Sequence, residues 1–499
     1  MSKNQEEFRR LASEGYNRIP LVRKKSADLD TPVSVWAKLA DAPGGHLLES
    51  MHGGEHWGRY SSIGLPVRTM LRGRERYVEI ITDGEVVVRC SDVDPIQFVA
   101  EYMQQIRAAP LPSFPRLGGG LVGYFGYECA RHIEPHLNKS LPPDHYGIPD
   151  LLFGVSERMV IFDNLTGEMN LVVYANPERP DAYERAEAEL DRISEALKQP
   201  LPDALRTQDV DLEEHPEDDH IFAPAQGREA FLKSVARIRE YILAGDTMQV
   251  QLSERFSGEF NASPLDLYRA LRRLNPSPYM FLLRFQELSV VGSSPEVLVR
   301  SEGRRCVVRP IAGTRRRGRT PDEDAALGRE LAEDPKEIAE HLMLLDLARN
   351  DIGRIAEIGS VEVVKQMDIE HFSHVMHLTS EVVGTVRDGV NAFDLLRATF
   401  PAGTLTGAPK VRAMEIIAEL EPHRRGIYGG GIGHIGYSGD INIAIGIRTG
   451  LIKDGQLHIQ AAGGVVADSD PELEWKEAQN KARAMVRAAG IARRNAAAD

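Results

Sequence analysis

The stretch YVEIITDGEVVVR, residues 77–89, decides the fold class of this 499-residue chain. Two runs rich in Val, Ile and Tyr flank an Asp-Gly pair, which is a strong short-range signal for two antiparallel strands joined by a tight turn. Comparable strand patterns are HLLES (46–50) and GGGLVGYFGYE (118–128). Because the strands adjoin hairpin-type turns and do not alternate regularly with helices, we predict an α+β fold with antiparallel sheets.

Helices are predicted mainly in the second half of the chain. REAFLKSVARIREYILAG begins at residue 228 and ends at a glycine cap, and the strand TMQVQLSERFS follows it. DPKEIAEHLMLLDLARNDIG, from residue 334, and DPELEWKEAQNKARAMVRAA, from residue 470, both open with Asp-Pro. This pair is typical of an N-cap residue followed by a proline in the first helical turn. INIAIGIRTG, from residue 441, is predicted to be a strand.

Composition excludes several classes of function. The formal net charge of -14 argues against general binding to nucleic acid or anionic membranes, which requires an extended positive field. Three cysteines without CxxC spacing form no disulfide framework or zinc knuckle. The N-terminal residues lack the apolar core of a signal peptide, and we find no run near the ~18 apolar residues that a membrane helix needs. We therefore expect a soluble, cytoplasmic protein.

One change of composition divides the chain. The segment 209–219 holds seven acidic residues and neither Lys nor Arg, and like charges at this density resist packing. We predict an N-terminal region over residues 1–200, an acidic linker over 201–226 and a catalytic domain over 227–490.

Four glutamates on the two Asp-Pro helices form a candidate metal site. Glu337 and Glu340 are spaced i,i+3, and Glu474, Glu477 and Lys481 are spaced i, i+3 and i+7, so each set lies on one helix face. Facing helices would supply four carboxylates, hard oxygen ligands that suit Mg²⁺ with several retained waters. The alternative is a set of surface glutamates, with Glu337 in a capping box and Glu477 paired to Lys481.

The histidines of DIEHFSHVMHLTSEVVGTV do not predict a zinc site. On a strand, His374 points away from His371 and His377, so the three side chains cannot converge on one ion. A single acid–base role or a structural role remains open for these histidines.

The strand INIAIGIR has one isoleucine face, which we expect in the core. Its other face carries Asn442, Ala444, Gly446 and Arg448, which leave space for a ligand and offer a guanidinium to a carboxylate. Close packing of another element on the small residues is the alternative. AAGGVV (461–466) and GIYGGGIG are glycine-rich, but no P-loop or dinucleotide-binding fingerprint occurs.

A long series of segments resembles the chorismate-utilising enzymes, in family order across about 260 residues. The N-terminal segments HLLES and GGGLVGYFGYE also resemble the large subunit (component I) of anthranilate synthases. The segments of the series are GSSPEVLV (292–299), RPIAGTRRRG (309–318), EHLMLLDLARNDIGR (340–354), HFSHVMHLTSEV (371–382), FPAGTLTGAPKVRAMEII (400–417), YGGGIG (428–433) and WKEAQNKA (475–482).

The resemblance implies a fold, a metal and a set of site residues. The fold is two large, mainly antiparallel β-sheets packed as a sandwich, with helices outside and the active site in a cleft. Mg²⁺ would be bound by Glu340 and Glu477, with Glu337 and Glu474 assisting through water. The implied catalytic residues are His377, Glu296 and Thr314, and the implied substrate-binding residues are Tyr428, Arg448, Ala462, Gly463, Gly464, Thr404, Gln249 and Lys481.

Two positions indicate the branch of the family. Aminodeoxychorismate synthases carry a lysine nucleophile where this chain has Ala312, and isochorismate-forming members carry a lysine where it has Gln249. Lacking both, the site suits ammonia as an external nucleophile. The implied reaction converts chorismate to anthranilate and pyruvate through an aminodeoxyisochorismate intermediate. Alternatives are an aminodeoxychorismate synthase component I and a catalytically inactive amino-acid sensor.

A partner and a regulator follow from the same resemblance. Glutamine amidotransferases use a cysteine in a GxCxGH-type turn, and Cys129 in GYECAR does not match it, so a separate amidotransferase subunit (component II) is implied. Tryptophan is the expected inhibitor. The alternative is that the two segments implied to bind it are only a strand end and a proline turn in the core. The implied tryptophan site comprises Glu49, Ser50, Pro278, Tyr279 and Met280.

The arginine-rich loop RPIAGTRRRGR (309–319) is interpreted as a wall of the anion pocket. Most of its arginines are expected to be solvated. Nucleic-acid binding is the least favoured interpretation of the loop, because no aromatic residues lie between the arginines.

Overall fold

The computed structural model of the protein describes residues 3–51, 59–111, 118–202, 215, 218, 220–372 and 375–498. Most of the predicted acidic linker, and His374, lie outside the described residues.

The described residues form 12 α-helices and three short 3-10 helices, at Tyr127–Cys129, Pro135–Ser140 and Gly403–Leu405. The α-helices are α1 Lys3–Ser13, α2 Pro32–Leu39, α3 Pro95–Gln104, α4 Ala130–Ile133, α5 Ala182–Leu197, α6 Arg228–Leu243, α7 Pro264–Leu274, α8 Pro321–Glu333, α9 Pro335–Gly353, α10 Ala392–Thr399, α11 Lys410–Leu420 and α12 Pro471–Ala498. None of these helices is both long and apolar enough to cross a membrane.

The same residues form 24 strands. The first twelve are β1 Ile19–Ser26, β2 His46–Glu49, β3 Tyr60–Gly64, β4 Thr69–Arg74, β5 Tyr77–Thr82, β6 Glu85–Ser91, β7 Gly120–Phe125, β8 Leu151–Ser156, β9 Arg158–Asp163, β10 Glu168–Ala175, β11 Ala223–Pro224 and β12 Gln249–Glu259. The others are β13 Tyr279–Arg284, β14 Ser289–Ser294, β15 Val297–Glu302, β16 Arg305–Val308, β17 Ile311–Arg316, β18 Glu362–His371, β19 Val375–Thr385, β20 Gly407–Ala408, β21 Gly431–Gly436, β22 Ile441–Ile445, β23 Thr449–Lys453 and β24 Gln456–Val465.

These strands form two 12-stranded sheets. The first runs β1-β10-β9-β3-β2-β13-β14-β23-β24-β12-β11, with β20 also paired to β12. The second runs β17-β19-β16-β15-β22-β21-β7-β8-β4-β5-β6, with β18 paired to β19. The predicted hairpin joins β5 and β6 at Asp83 and Gly84, whose φ angles of 53° and 85° are those of a tight hairpin turn. The predicted α+β class with antiparallel sheets is confirmed.

The hydrophobic core is divided by the sheets. One cluster joins side chains of both sheets, including Phe281 and Leu283 of β13 and Tyr124 of β7, so the sheets face each other. A larger cluster lies on the outer side of the first sheet and includes residues of α6, α7 and α12. Another covers the second sheet with residues of α9 and α10. The sandwich with helices outside is therefore confirmed.

Both sheets combine strands from before and after the acidic linker. In the first sheet β2 pairs with β13, and Glu49 lies opposite Met280. In the second sheet β7 pairs with β21. Neither sheet belongs to one segment of the chain alone, and the division at residues 201–226 stays a prediction from composition.

The predicted strand INIAIGIR is shorter than expected. Strand β22 ends at Ile445, because the chain there leaves the second sheet and crosses to β23 in the first. Arg448 lies in this crossing with φ 50°, so it does not continue the small face of the strand. A Cβ on Gly446 would lie 2.2 Å from the carbonyl oxygen of Ile427. Close packing of backbone therefore explains this glycine.

Candidate active site

The N-terminal ends of α9 and α12 lie beside each other. Asp334 caps α9 by accepting hydrogen bonds from the next backbone amides, and Asp470 does the same for α12. Lys336 Nζ lies 3.7 Å from an Asp468 carboxylate oxygen, immediately before α12. The two Asp-Pro helices predicted from the sequence thus present their first two turns, which carry the candidate metal glutamates, to one region.

Two glycines of β24 make room for side chains on opposite faces of the strand. Gln249 donates a 2.9 Å hydrogen bond to Glu340, and a Cβ on Gly464 would lie 2.6 Å from the donating Gln249 nitrogen. On the other face, a Cβ on Gly463 would lie 2.6 Å from Glu474 Oε2. The structure therefore brings Gln249, Glu340, Glu474 and both glycines together.

Glu474 is a buried carboxyl group on the first turn of α12. Its side chain is buried, and its Oε2 has no hydrogen-bond partner. Burial raises the pKa of Glu474 to about 7, and the negative charge of Glu477 adds to the effect. Burial also raises the pKa of Glu337, against the opposing effect of Arg315. Among the described residues no three acidic, His or Cys side chains converge closely enough to enclose an ion. The donor set nevertheless fits Mg²⁺, which retains several waters.

Arg315 and Arg317 of the loop 309–319 are only partly exposed, which corrects the expectation for these two side chains, whereas Arg316 and Arg319 are exposed. Arg315 contacts Glu330, Asp334 and Glu337 at 2.9, 2.7 and 3.0 Å. Arg316 and Arg317 pair with acidic residues of α8. The loop is therefore fastened to α8 and α9, because the acidic first turn of α8 follows it directly in the sequence.

Glu296 has the properties of a proton donor. The residue is buried just before β15, and Thr404 Oγ1 donates a 3.1 Å hydrogen bond to its carboxyl group. Burial raises the pKa of Glu296 to about 8, although this hydrogen bond and the charges of Lys481 and Arg309 oppose the shift. Glu296 is consequently protonated at neutral pH.

His377 is held as a neutral imidazole on β19. Burial lowers the pKa of His377 to about 4. Its Nδ1 lies 2.8 Å from the Gly313 carbonyl oxygen and 3.1 Å from Thr314 Oγ1. A carbonyl oxygen can only accept, so Nδ1 carries the proton and Nε2 is left as a proton acceptor.

The remaining predicted substrate residues surround β24. Lys481 Nζ lies 2.8 Å from the Ala462 carbonyl oxygen and 2.7 Å from Glu477. The buried Tyr428 interacts with the backbone amide of Ala462. Burial lowers the pKa of Arg448, whereas nearby Tyr428 opposes the shift. Ala462, Tyr428, Lys481 and Arg448 are thus neighbours.

A buried ion pair that the sequence did not indicate lies beside this site. Arg425 is 2% exposed, and its Nε and Nη2 donate to Glu421 at 2.8 and 2.6 Å. Its guanidinium also donates to backbone carbonyls of Gln251 and Leu405, and it lies 5.6 Å from the Tyr428 ring centroid. The i,i+4 spacing of Glu421 and Arg425 was the available signal, but surface helices show the same spacing.

The residues predicted for a tryptophan site lie where β2 and β13 run side by side. The carboxylate of Glu49 is buried and engaged within the protein, since it accepts from the Tyr268 hydroxyl and from Arg272 at 3.0 and 3.1 Å. Met280 is opposite Glu49 in the sheet. The set is Glu49, Ser50, Pro278, Tyr279 and Met280, of which Ser50 and Tyr279 are half-buried.

Comparisons with known proteins show the family of this chain. Residues 58–487 match the family model described as chorismate binding enzyme. The chain is 53% identical to anthranilate synthase component 1 of Pseudomonas aeruginosa over 98% of this chain and 99% of that protein. It is 50% identical to the protein of the same name from Neisseria meningitidis serogroup A, covering 97% and 98% of the two chains.

Solved structures show the same architecture. Anthranilate synthase component I of Streptococcus pneumoniae superposes with a TM-score of 0.75 at 36% identity, over 87% of this chain and 95% of that one. The menaquinone-specific isochorismate synthase of Escherichia coli shares the fold with a TM-score of 0.69 at 17% identity, covering 97% and 98% of the chains. The chain therefore belongs to the chorismate-binding enzymes, in the group of the anthranilate synthase component 1 proteins.

Proposed function

We propose that this chain converts chorismate and ammonia to anthranilate, pyruvate and water, as the first step of tryptophan biosynthesis. The observation that carries the proposal is a buried Glu296, hydrogen-bonded by Thr404, in a site whose loop offers the small Ala312 instead of a nucleophile. The side chain of Gln249 donates a hydrogen bond to Glu340. Because it is a neutral amide, it cannot act as a base near neutral pH. The nucleophile must consequently come from outside the chain.

The first step adds ammonia to the ring. The ammonia nitrogen bonds to C2 of chorismate, the ring double bonds shift, and the bond from C4 to its hydroxyl breaks. Glu296 donates its proton so that the hydroxyl departs as water. Thr404 holds the Glu296 carboxyl group by its hydrogen bond. The product is the aminodeoxyisochorismate intermediate.

The second step removes pyruvate. His377 Nε2 is the available acceptor for the proton on C2 because Nδ1 is occupied by Gly313 and Thr314. Loss of this proton and cleavage of the ether bond at C3 make the ring aromatic and release enolpyruvate, which becomes pyruvate.

Substrate binding would use opposite ends of the site. Arg448, Tyr428 and the backbone of Gly463 and Gly464 would hold the enolpyruvyl carboxylate, with Ala462 and Lys481 beside them. When bound, Mg²⁺ would supply positive charge to the ring carboxylate. Its ligands would be Glu340 and Glu477, with Glu337 and Glu474 acting through water.

The proposal includes a partner and a regulator. Ammonia is mostly protonated near neutral pH, so a glutamine amidotransferase subunit would supply it to this chain. Tryptophan would bind where β2 meets β13, close to Ser50, Pro278, Tyr279 and Met280. The pairing of Glu49 with Met280 across these strands supports this placement.

The test uses the chain alone with chorismate, Mg²⁺ and concentrated ammonium at alkaline pH. We expect anthranilate, detected by fluorescence and mass, together with an equal amount of pyruvate, and loss of both with EDTA. Aminodeoxychorismate or isochorismate as the product would refute the proposal. Tryptophan binding without any turnover would instead indicate an amino-acid sensor.

A further inference from the structure

The turn 425–430, which carries Tyr428, lies against a segment from the N-terminal region of the chain. Strand β7 ends at Phe125, directly opposite the first residue of β21. The residues that follow β7 therefore run beside the residues that precede β21, which are those of the turn. Tyr127 N–H donates a 2.7 Å hydrogen bond to the Gly426 carbonyl oxygen and so joins the two segments.

Glu128 binds this turn with both oxygens of its carboxyl group. It closes the sequence segment GGGLVGYFGYE, lies on the 3-10 helix Tyr127–Cys129 and is 7% exposed. The backbone N–H of Arg425 donates to one oxygen at 2.8 Å, and that of Gly426 donates to the other at 3.0 Å. Gly426 has φ 58°, and successive N–H groups at such a turn form a concavity that binds anions. The Glu128 carboxyl group fills this concavity.

The burial of Glu128 is unfavourable unless these hydrogen bonds are made. Burial and the negative charge of Asp150 raise the pKa of Glu128 to about 7, whereas the hydrogen bond from Arg425 opposes the shift. A buried carboxyl group without partners destabilises a fold. The two backbone N–H groups of the turn therefore explain how a carboxyl group is tolerated at this position.

The turn also connects the predicted substrate residues Tyr428 and Arg448. Tyr428 N–H donates to the Arg425 carbonyl oxygen at 3.2 Å, so Tyr428 is the closing residue of the turn. The next residue, Gly429, donates to the Gly446 carbonyl oxygen at 2.9 Å. Gly446 precedes Arg448 by two residues. A displacement of the turn would consequently move Tyr428 and disturb the segment that leads to Arg448.

Glu128 acts on the backbone of Arg425 and not on its charge. The guanidinium of Arg425 is paired with Glu421 and donates to carbonyl oxygens of other elements. Glu128 accepts only from the backbone N–H of this residue. The contribution of Glu128 is therefore to the conformation of the turn.

We propose that Glu128 is a positioning residue for chorismate binding. Its carboxyl group fixes the turn 425–430, so that the Tyr428 hydroxyl is presented to the enolpyruvyl carboxylate. Glu128 precedes the acidic linker by more than 70 residues, so the N-terminal region contributes to the substrate pocket as well as to the sheets. The proposal rests on the proposed function, because it assumes that Tyr428 binds chorismate.

The test compares the unchanged chain with Glu128→Gln, using chorismate, Mg²⁺ and concentrated ammonium. Glutamine keeps the size of the side chain, but its NH₂ group cannot accept a hydrogen bond, so one N–H of the turn loses its partner. We expect the KM for chorismate to rise about fivefold to tenfold. We expect kcat to change by less than about twofold, because the enolpyruvyl carboxylate is held both before and during the first step.

The matched control is Glu254→Gln. Glu254 is also buried, and its carboxyl group accepts from the backbone N–H groups of Ala225, Gln226 and Gly227, which precede α6. Both variants should lower the free energy of unfolding, measured with urea, but only Glu128→Gln should raise the KM for chorismate. No rise in Glu128→Gln, or an equal rise in both variants, would leave Glu128 a purely structural role and overturn the inference.

A double-mutant cycle tests whether Glu128 acts through Tyr428. In the Tyr428→Phe background, Glu128→Gln should change the KM for chorismate by less than about twofold, because the hydroxyl that it positions is already absent. A further rise of about fivefold in this background would overturn the inference, since Glu128 would then act by another route.

Failure of the proposed function would give a different result. Tyr428→Phe alone would then leave the KM for chorismate unchanged, or the unchanged chain would make no anthranilate from ammonium. Either result would overturn the inference together with the proposed function. If only the inference fails, the unchanged chain still makes anthranilate and Tyr428→Phe still raises the KM.

Discussion

At the scale of single residues, the environment of Glu296 determines its chemistry. A carboxyl group with a pKa of about 8 donates a proton at neutral pH, which an exposed glutamate could not do. The sequence could suggest this residue only through family resemblance, because its burial and its bond to Thr404 depend on chain segments that are 108 residues apart.

Glu296→Gln should keep the size of the side chain and its contact with Thr404 while removing the transferable proton. We expect kcat with ammonia to fall by about 10²–10⁴-fold, with little change in the KM for chorismate. In the unchanged enzyme, kcat/KM should fall as pH rises through about 8, because the folded-state pKa is raised and the acid form is lost there. Rates must be compared at constant free ammonia.

The matched control is Thr404→Val, which removes one hydrogen bond to Glu296 but retains the acid. In this variant the fall of kcat/KM should occur at a higher pH, because the lost hydrogen bond lowers the pKa of Glu296 in the unchanged enzyme. Full activity of Glu296→Gln would show that another group donates the proton.

Glu49 offers a residue-scale test of the tryptophan site. Tyr268→Phe removes the hydroxyl that donates to Glu49 but leaves the ion pair with Arg272. If tryptophan binds between β2 and β13, its half-inhibitory concentration should rise severalfold while the KM for chorismate is unchanged. The control is Tyr241→Phe, which removes the hydroxyl of a half-buried tyrosine that donates a hydrogen bond to Glu419. If the tryptophan inhibition curve were unaltered, Glu49 would not be part of the regulatory site.

At the scale of secondary-structure elements, the ion pair of Glu421 and Arg425 fastens several elements together. Arg425 connects the residue that follows α11 with β12, with the 3-10 helix Gly403–Leu405 and with the ring of Tyr127. Arg425→Met would leave the Glu421 carboxylate buried without its partner. We expect a loss of about 3–5 kcal/mol in the free energy of unfolding, measured with urea.

Two further variants isolate the buried charge. Adding Glu421→Gln to Arg425→Met should restore part of the stability, because the amide still accepts from Ser253 without carrying a charge. Arg412→Met, which breaks exposed pairs with Asp246 and Glu415, should cost less than about 1 kcal/mol. Equal losses in Arg425→Met and Arg412→Met would mean that burial of the pair is not decisive.

Local sequence patterns predicted elements well and their ends less well. The Asp-Gly hairpin and the Asp-Pro helices follow from side-chain chemistry within a few residues. The end of β22 at Ile445 does not, because it depends on the crossing of the chain from one sheet to the other. Likewise, helical spacing indicated the faces with Glu337, Glu340, Glu474 and Glu477. It could not show that Arg315 binds Glu337.

At the scale of the whole molecule, the periodicity of the sequence could not predict which strands pair across the acidic linker. Strands β2 and β13 are more than 200 residues apart in the sequence yet are adjacent in the first sheet. The composition break suggested two regions, but alternating patterns carry no information about which distant strand is the neighbour. Only the family resemblance predicted that two sheets pack as a sandwich.

This sharing of sheets predicts how fragments of the chain should behave. Residues 227–499 alone would lack β1–β10 and the two-residue strand β11, which leaves the edges of β13 and β21 unpaired and exposes the apolar cluster between the sheets. We expect this fragment to unfold without a cooperative transition and to lack activity with ammonium. Adding residues 1–202 as a separate chain should restore both, because β1–β10 can then pair with β13 and β21. If residues 227–499 turned over chorismate alone, the catalytic region would be an independent domain, and the contribution of the N-terminal strands would be limited to regulation.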